Sequence, residues 1–296
     1  MNKQNKAHLA VLAANFIFGS NFAVVKFITP AYLPPLSLNV VRILVSLVLF
    51  WGLWLLQKPA ARIQKQHIPR FMLCAITGVV INQILFIKGV SLTTPIHSSL
   101  LSLATPIFIT LIAAWVLRER FTLLNGAGLA LGIGGAALLI LLKDPVHGGQ
   151  DIILGDILVL INAISYAFYL VWVRPLMKIY SGVQILRWIF TFGGIVIIPF
   201  GLPDFLATNW QQFDVPHVLG LAYVAIGATF LAYLFNVYGV GIIGASATGA
   251  YIYTQPVFAA VVAIFIAHEP PTLIKGLAAL LIFGGVYLAN YRKSNA

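Results

Sequence analysis

The stretch ATPIFITLIAAWVLRE, residues 104–119, returns in altered form as TQPVFAAVVAIFIAHE, residues 254–269. The match keeps one offset, 150 residues (254 − 104), and it extends beyond the quoted windows. The paired positions are Pro106 and Pro256, Phe108 and Phe258, Glu119 and Glu269, Gly126 and Gly276, and Gly134-Gly135 and Gly284-Gly285. Apolar helices share composition by chance, but a proline, an acidic helix end and three glycines in register indicate an internal duplication.

The composition places the chain in a membrane. Of its 296 residues, 60% are hydrophobic and 8% charged, and the mean hydropathy is +0.97, whereas a soluble domain carries about 25% charged residues. A bilayer core about 30 Å thick needs roughly 20 apolar residues per helix. The sequence predicts ten such spans: 7–28, 35–56, 68–89, 94–117, 122–142, 154–174, 182–202, 216–238, 243–267 and 272–291. These runs are continuous and lack the alternating polarity of a transmembrane β-barrel.

The predicted fold class is an all-α integral membrane protein whose ten transmembrane helices form two inverted five-helix repeats. Residues 1–142 form the first repeat, 143–153 an outer linker, and 154–296 the second repeat. An odd number of spans per repeat makes the second copy enter the membrane from the opposite face. The fronts of the repeats also agree, since FGSNFAVVKFI in span one lies on YAFYLVWVRPL in span six.

The net charge of +11 is interpreted as an orientation signal. Most Lys and Arg residues outside the spans fall before span one, after spans two, four and six, and in the tail. Lys and Arg favour cytoplasmic loops, so we expect both termini in the cytoplasm. No long basic tract or basic-aromatic face indicates a nucleic-acid partner. The first apolar stretch lacks a convincing cleavage site, so we expect a retained span rather than a signal peptide.

Inverted repeats are typical of transporters, which place the substrate site near the bilayer midplane between the repeats. Two near-equivalent halves can exchange conformations and open that site first to one side of the membrane and then to the other. The duplication therefore favours transport by alternating access.

The residues also resemble a known family. FIFGSNFAVVKFI, Arg42 in LNVVRILVS, and the Pro, Glu and Gly-Gly pattern of TPIFITLIAAWVLRERFTLLNGAGLALGIGG are similar to the drug/metabolite transporter (DMT) superfamily, specifically its EamA-type ten-helix permeases. The resemblance implies a bacterial inner-membrane exporter or exchanger of small metabolites, often amino acids, with a cavity between the halves. Four-helix relatives in that superfamily use a Glu in span one for proton coupling, and span one here carries no acidic residue.

Polar and aromatic residues inside the apolar spans are the candidate binding residues, because the hydrocarbon offers them no water. Aromatic walls with a few directed polar groups suit a small amphipathic solute. The candidates for substrate binding are Asn15, Phe18, Asn21, Arg42, Asn82, His97, Ser98, Asn162, Tyr166, Tyr169, Tyr233, Asn236, Tyr251 and Gln255. Interhelical hydrogen bonding is the structural alternative for any one of them. Asn162, Ser165, Tyr166 and Tyr169 share one face of span six.

Two candidates are ionisable. Arg42, about seven residues into span two, either holds a substrate carboxylate through paired hydrogen bonds or plays a structural role, snorkelling to the headgroups. Lys26 and Arg187 lie nearer to span ends, which favours snorkelling for both. His97 either takes up a proton in the working pH range or is a neutral hydrogen-bonding group. Without an embedded carboxylate, exchange or facilitated diffusion is as consistent with the sequence as proton antiport.

Pro106 and Pro256 stand within spans at twin positions and are the conformational candidates, since each removes a backbone hydrogen bond and bends its helix. Such a bend either serves rocking of the halves or is a fixed kink. In span five, Gly126, Ala130 and Gly134, with Gly128 and Gly132, present small faces for close helix contact, within the fold or between protomers.

No catalytic, metal or cofactor site is predicted. There is no phosphate-binding loop, and HEPPT at 268–272 lacks the second histidine of a zinc-protease helix. The function favoured by the sequence is therefore a secondary transporter of the inner membrane that exports or exchanges small metabolites, amino acids foremost. Broad drug or nucleotide-precursor efflux and a non-transporting receptor are the alternatives. The expected partners are a small-molecule substrate and the lipid bilayer, with a homodimer possible.

Overall fold

The computed structural model describes residues 2–56, 63–117, 123–141, 151–265 and 272–290. Within these ranges all regular structure is helical. Ten helical segments follow one another: α1 (Lys3–Ile28), α2 (Pro35–Leu55), α3 (Lys65–Leu92), α4 (Pro95–Ser102 and Thr105–Leu117), α5 (Leu123–Leu141), α6 (Ile152–Met177), α7 (Gly182–Ala207), α8 (Val215–Ile243), α9 (Tyr251–Phe265) and α10 (Leu273–Asn290).

The ten predicted spans correspond to these ten segments. By length and composition α1, α2, α3, α6, α7 and α8 are long and apolar enough to cross a membrane, and the described parts of α4, α5, α9 and α10 contain shorter apolar helices. One predicted boundary is wrong, because the helix Ala232–Ala250 runs through the expected connection between spans eight and nine. Glu119, Glu269 and residues 143–150 lie outside the described residues.

The packing of the helices follows the inverted duplication. Helix α1 packs on α8 and α9 of the second half, and its counterpart α6 packs on α3 and α4 of the first half. Helix α2 packs on its own counterpart α7, and α5 packs on its own counterpart α10. Exchanging the two halves therefore reproduces the same contacts, and the fold class predicted from the sequence is confirmed.

The helix geometry carries a second sign of duplication. Helix α3 changes from α to π geometry at Ile76–Ile81, and α8 changes at Tyr223–Leu231. Each π segment starts eight residues after an apolar residue followed by proline, Ile68-Pro69 in α3 and Val215-Pro216 in α8. A π turn leaves the regular backbone ladder and is frequent at functional sites.

Local sequence explains where several helices begin. Prolines occupy the first turn of α2 and of α4, where a missing N–H costs nothing. The Thr94 side chain accepts a hydrogen bond from the His97 backbone N–H at the start of α4, and Asp214 accepts one from His217 at the start of α8. Such caps satisfy backbone donors that the helix itself leaves open.

The twin prolines stand directly after breaks rather than in mid-helix. Helix α4 is interrupted after Ser102, and Pro106 is the second residue of its continuation Thr105–Leu117. A 3-10 turn, Tyr251–Thr254, precedes the α-helical part of α9, in which Pro256 is again the second residue. The predicted interruption is present at both twin positions, and each proline occupies a first turn where its ring is tolerated.

The duplicated glycines bring α5 and α10 into close contact. A Cβ on Gly285 would lie 2.5 Å from the Gly128 carbonyl oxygen and 2.6 Å from the Gly132 nitrogen. On the facing helix, a Cβ on Gly135 would lie 3.0 Å from the Ala278 carbonyl oxygen. Backbone atoms cannot move aside like flexible side chains, so the predicted face of Gly128 and Gly132 serves packing inside the fold. The other predicted face does not take part, because a Cβ on Gly134 meets no atom within 4 Å.

We therefore expect Gly285→Ala to lower the free energy of unfolding by about 1–3 kcal/mol, as overpacking of a tight contact does. The measurement is thermal unfolding of the purified protein in detergent. Gly284→Ala is the matched control, because a Cβ there meets no atom within 4 Å. Equal unfolding temperatures for the two variants would contradict this account of the α5–α10 contact.

Candidate functional site

Side chains from both repeats meet in the interior and form what we call the central site: Phe18, Arg42, Gln83, Tyr166, Tyr169, Phe190, Thr229 and Tyr233. They come from α1, α2 and α3 of the first half and from α6, α7 and α8 of the second. Five of the predicted binding residues are thus brought together: Phe18, Arg42, Tyr166, Tyr169 and Tyr233.

Arg42 is anchored on the π segment of α8. Its side chain is 4% exposed, and Nε donates a 2.8 Å hydrogen bond to Oγ1 of Thr229. The Thr229 hydroxyl in turn donates to the Val224 carbonyl, five residues earlier, at 2.7 Å. Val224 and Thr229 both belong to the π segment, so these two bonds tie the guanidinium to the distorted part of α8.

Arg42 is only partly satisfied by the protein. Its Nη1 is buried without a hydrogen-bond partner, and no carboxylate is in salt-bridge contact with it among the residues that the structure describes. An uncompensated charge inside a protein is costly, about 3–5 kcal/mol when a partner is removed. The guanidinium therefore retains donors that a second group would satisfy.

Further polar atoms without partners accompany Arg42 on α2. Asn39 Oδ1 and Ser46 Oγ lie three residues before and four residues after Arg42, so the three share a helix face. Asn21 Oδ1 on α1 and both polar side-chain atoms of Gln83 on α3 are also unpartnered, although Gln83 lies beside the Tyr233 hydroxyl. Buried polar groups are normally hydrogen-bonded. The first-half side of the central site is therefore unusual, because several of its buried polar atoms have no partner.

Aromatic rings form the apolar part of the central site. Tyr233 contacts Phe18 edge-on at a centroid distance of 5.9 Å and Phe190 at 5.5 Å. Tyr166 and Tyr169 lie 5.6 Å apart. Phe18, Tyr166 and Tyr233 are half-buried, whereas Tyr169 is buried. Edge-on pairs of this kind hold rings in fixed orientations.

Asn162 and Ser165, which share a face of α6 with Tyr166 and Tyr169, join α6 to α3. Asn162 Nδ2 donates to the Asn82 carbonyl at 2.7 Å, and Ser165 Oγ donates to the Thr77 carbonyl at 2.8 Å. Both acceptors belong to the π segment of α3 or to the residue that ends it. These bonds fasten α6 to α3 and leave Tyr166 and Tyr169 directed into the central site.

The other predicted residues lie elsewhere. Gln255 donates to Asn15 at 2.7 Å and joins α9 to α1, and the Tyr251 hydroxyl lies 2.9 Å from His8 Nδ1 near the start of α1. Ser98 donates to the carbonyl of Thr94, within its own helix. The side chains of Asn82 and Asn236 are half-buried.

An embedded carboxylate exists, contrary to the sequence-based expectation. Asp156, in the first turns of α6, is fully buried, accepts a hydrogen bond from the Thr93 hydroxyl, and lies 3.1 Å from Nδ1 of His97. In the sequence Asp156 lies two residues into predicted span six, and an acidic residue at that position indicates the end of a span. Burial here comes from α3 and α4, which cover the start of α6.

The expectation that Arg187 snorkels out of the membrane is also wrong. Arg187 is 5% exposed, and its guanidinium carbon lies over the rings of Trp54 at 4.2 Å, Trp51 at 4.6 Å and Trp188 at 5.4 Å. Cation–π contacts of this kind contribute up to about 2 kcal/mol when desolvated. The signal was available in the sequence as a cluster of tryptophans at facing positions of α2 and α7.

Comparison with known proteins agrees with this architecture. The EamA-like transporter family matches the chain twice, over residues 5–141 and over residues 153–291. The chain belongs to the EamA-like transporter family. One match falls in each half, and the resemblance to the drug/metabolite transporter superfamily is confirmed.

Curated relatives of this EamA-like protein are named as transporters. The uncharacterized transporter YetK of Bacillus subtilis is 26% identical, with 99% of this chain and 89% of the relative covered. A probable terminal-alkyne amino-acid exporter of Streptantibioticus cattleyicolor is also 26% identical, with coverages of 98% and 95%. A solved crystal structure gives a TM-score of 0.64 at 18% identity over 97% of this chain and 96% of that chain, a likeness of fold alone.

The anchoring of Arg42 yields a prediction. Thr229→Val keeps the side-chain shape but removes the acceptor of Arg42 Nε, so we expect it to destabilise the protein by about 1.5–3 kcal/mol, as for a lost hydrogen bond to a charged group. Thermal unfolding in detergent provides the measurement. The matched control is Thr77→Val on the other π segment, where the hydroxyl donates only to Leu73 of its own helix. A larger loss in the control would refute the anchor.

Proposed function

We propose that this EamA-like protein is a secondary transporter that exports or exchanges small amphipathic solutes bearing a carboxylate, amino acids foremost, by alternating access. The observation that carries the proposal is the buried Arg42, whose Nη1 has no partner and which no described carboxylate neutralises. A substrate carboxylate would supply the missing negative charge.

The chemistry of the site matches such a solute. A guanidinium binds a carboxylate through short, charge-assisted hydrogen bonds, often in pairs. The unpartnered oxygens of Asn21 and Asn39 are acceptors suited to an ammonium or amide group of the same solute. The half-buried rings of Phe18, Tyr166 and Tyr233 provide the apolar wall against which a hydrophobic side chain packs.

We assign to the two inverted halves the movement that opens the central site to one side of the membrane and then to the other. The breaks before Pro106 and Pro256 and the two π segments supply interrupted backbone at equivalent places, where rocking helices need least reorganisation. We place the protein in the bacterial plasma membrane with both termini in the cytoplasm, on the distribution of Lys and Arg between the loops.

The proposal is tested by counterflow of labelled phenylalanine and leucine into proteoliposomes that hold the purified protein and are preloaded with unlabelled amino acid. Wild type should accumulate label, and Arg42→Ala should reduce the initial rate about tenfold or more, since a lost charge-assisted bond is worth roughly 1.5–3 kcal/mol. Arg42→Lys, which keeps the charge but not the fork of donors, should retain an intermediate rate.

Arg70→Gln is the control for charge removal, because Arg70 is exposed at the start of α3. It should transport like wild type. Undiminished counterflow by Arg42→Ala would remove Arg42 from the substrate site. Flux of cationic dyes or nucleobases in place of amino acids would favour broad efflux, and no flux of any probe would favour a receptor.

A further inference from the structure

A buried acid–base cluster lies apart from the central site, at the end of the bundle where α1 ends. Asp156 of α6 is fully buried, His97 of α4 is 3% exposed, and Thr93, between α3 and α4, is 1% exposed. Lys26, near the end of α1, donates to the Ser91 carbonyl at 2.8 Å and marks the same end. The cluster joins a helix of the second repeat to two helices of the first.

Hydrogen bonds connect the members of this cluster. The Thr93 hydroxyl donates to Asp156, and in the tautomer that carries a proton on Nδ1 the His97 ring donates to the same carboxylate. With a neutral imidazole the pair carries a net charge of −1. Among the described residues, this is the ion pair whose partners are both buried, since in the other pair, His217 with Asp214, the aspartate is 66% exposed.

The charged groups on the surrounding helices are cations. Lys26 belongs to α1, Lys88 to α3 and Lys275 to α10, and these helices pack against α4 or carry the residues that lead into it. Lys88 is exposed, while Lys275 is 4% exposed. The remaining acid on α6, Asp151, is exposed at the helix start.

We propose that Asp156 and His97 together form the proton-binding site of this transporter. One proton taken up by the pair, on the carboxylate or on the free imidazole nitrogen, changes its net charge from −1 to 0. This inference deepens the proposed function and rests on it for the coupling to transport.

Protonation acts on the contact between the repeats. The bonds from Thr93 and His97 to an ionised Asp156 are charge-assisted, and such bonds are stronger than neutral ones. Neutralising Asp156 weakens these hydrogen bonds between the starts of α4 and α6. Protonation therefore favours separation of the two helix ends. The proton-binding pair is distinct from the central site, where the solute binds. Movement of the halves couples the two sites.

Transport in proteoliposomes provides the first test. A pH gradient should drive accumulation of labelled phenylalanine by wild type, and the Asp156→Asn, His97→Gln double variant should lose at least about nine-tenths of that accumulation. Counterflow without a gradient should remain near the wild-type rate, because exchange needs no net proton movement. Asp151→Asn, an exposed acid of the same helix, should keep both activities. Gradient-driven accumulation by the double variant equal to wild type would overturn the proposal.

The second test needs no transport. Infrared difference spectra of the purified protein between about pH 5 and pH 8, the range in which histidine titrates, should show the band of a protonated carboxyl or of an imidazolium. Five other histidines contribute imidazolium bands as well, so the signal of the pair is the part of the wild-type difference spectrum that the double variant lacks and Asp151→Asn keeps. Counterflow by the variant reports that it has folded, and Asp156→Asn alone replaces the double variant if it has not.

The two tests separate the inference from the proposed function. Absence of counterflow by wild type with every probe would defeat the proposed function, while the infrared band would still decide whether the pair binds a proton. A variant spectrum identical to that of wild type overturns the site, and His97→Gln alone provides this comparison if neither other variant folds.

Discussion

A polar group inside the hydrocarbon core finds its partner within the protein or bears the cost of having none, and the interior of this molecule is organised around that constraint. Backbone carbonyls in or next to the two π segments accept hydrogen bonds from side chains. Asn162 and Ser165 fasten α6 to the segment in α3, and Thr229 links Arg42 to the segment in α8. Helix distortion and interhelical bonding thus occur at equivalent places in both halves.

The two arginines that the repeats place at related positions, Arg42 and Arg187, are accommodated differently. Three tryptophans cover the Arg187 guanidinium, and ring faces stabilise a cation without hydrogen bonds. Arg42 instead has one firm bond, to Thr229, and an unpartnered Nη1. Arg187 Nε and Nη1 also lack a hydrogen-bond partner, but three rings cover that guanidinium, whereas Arg42 shares its helix face with the unpartnered Asn39 and Ser46.

The central site and the Asp156–His97 pair divide the functional chemistry. The first combines a cation with aromatic walls from both halves, and the second combines an acid and a base where α4 meets α6. Both join helices of different repeats, so relative movement of the halves changes both. This arrangement supports the alternating access that we propose, since contacts within one half would not respond to that movement.

The sequence by itself determined the membrane class, the duplication, the ten spans and most of the aromatic members of the central site. Long apolar runs and a repeat at constant offset are properties of the chain that survive without any knowledge of contacts. Only the tertiary structure decided which polar residue of a span turns inward: Gln83 rather than its neighbour Asn82 is buried, and Asp156 is covered although it stands near a helix end. The physical reason is that burial and charge compensation depend on the neighbouring helices, and a one-dimensional pattern does not record which helices those are.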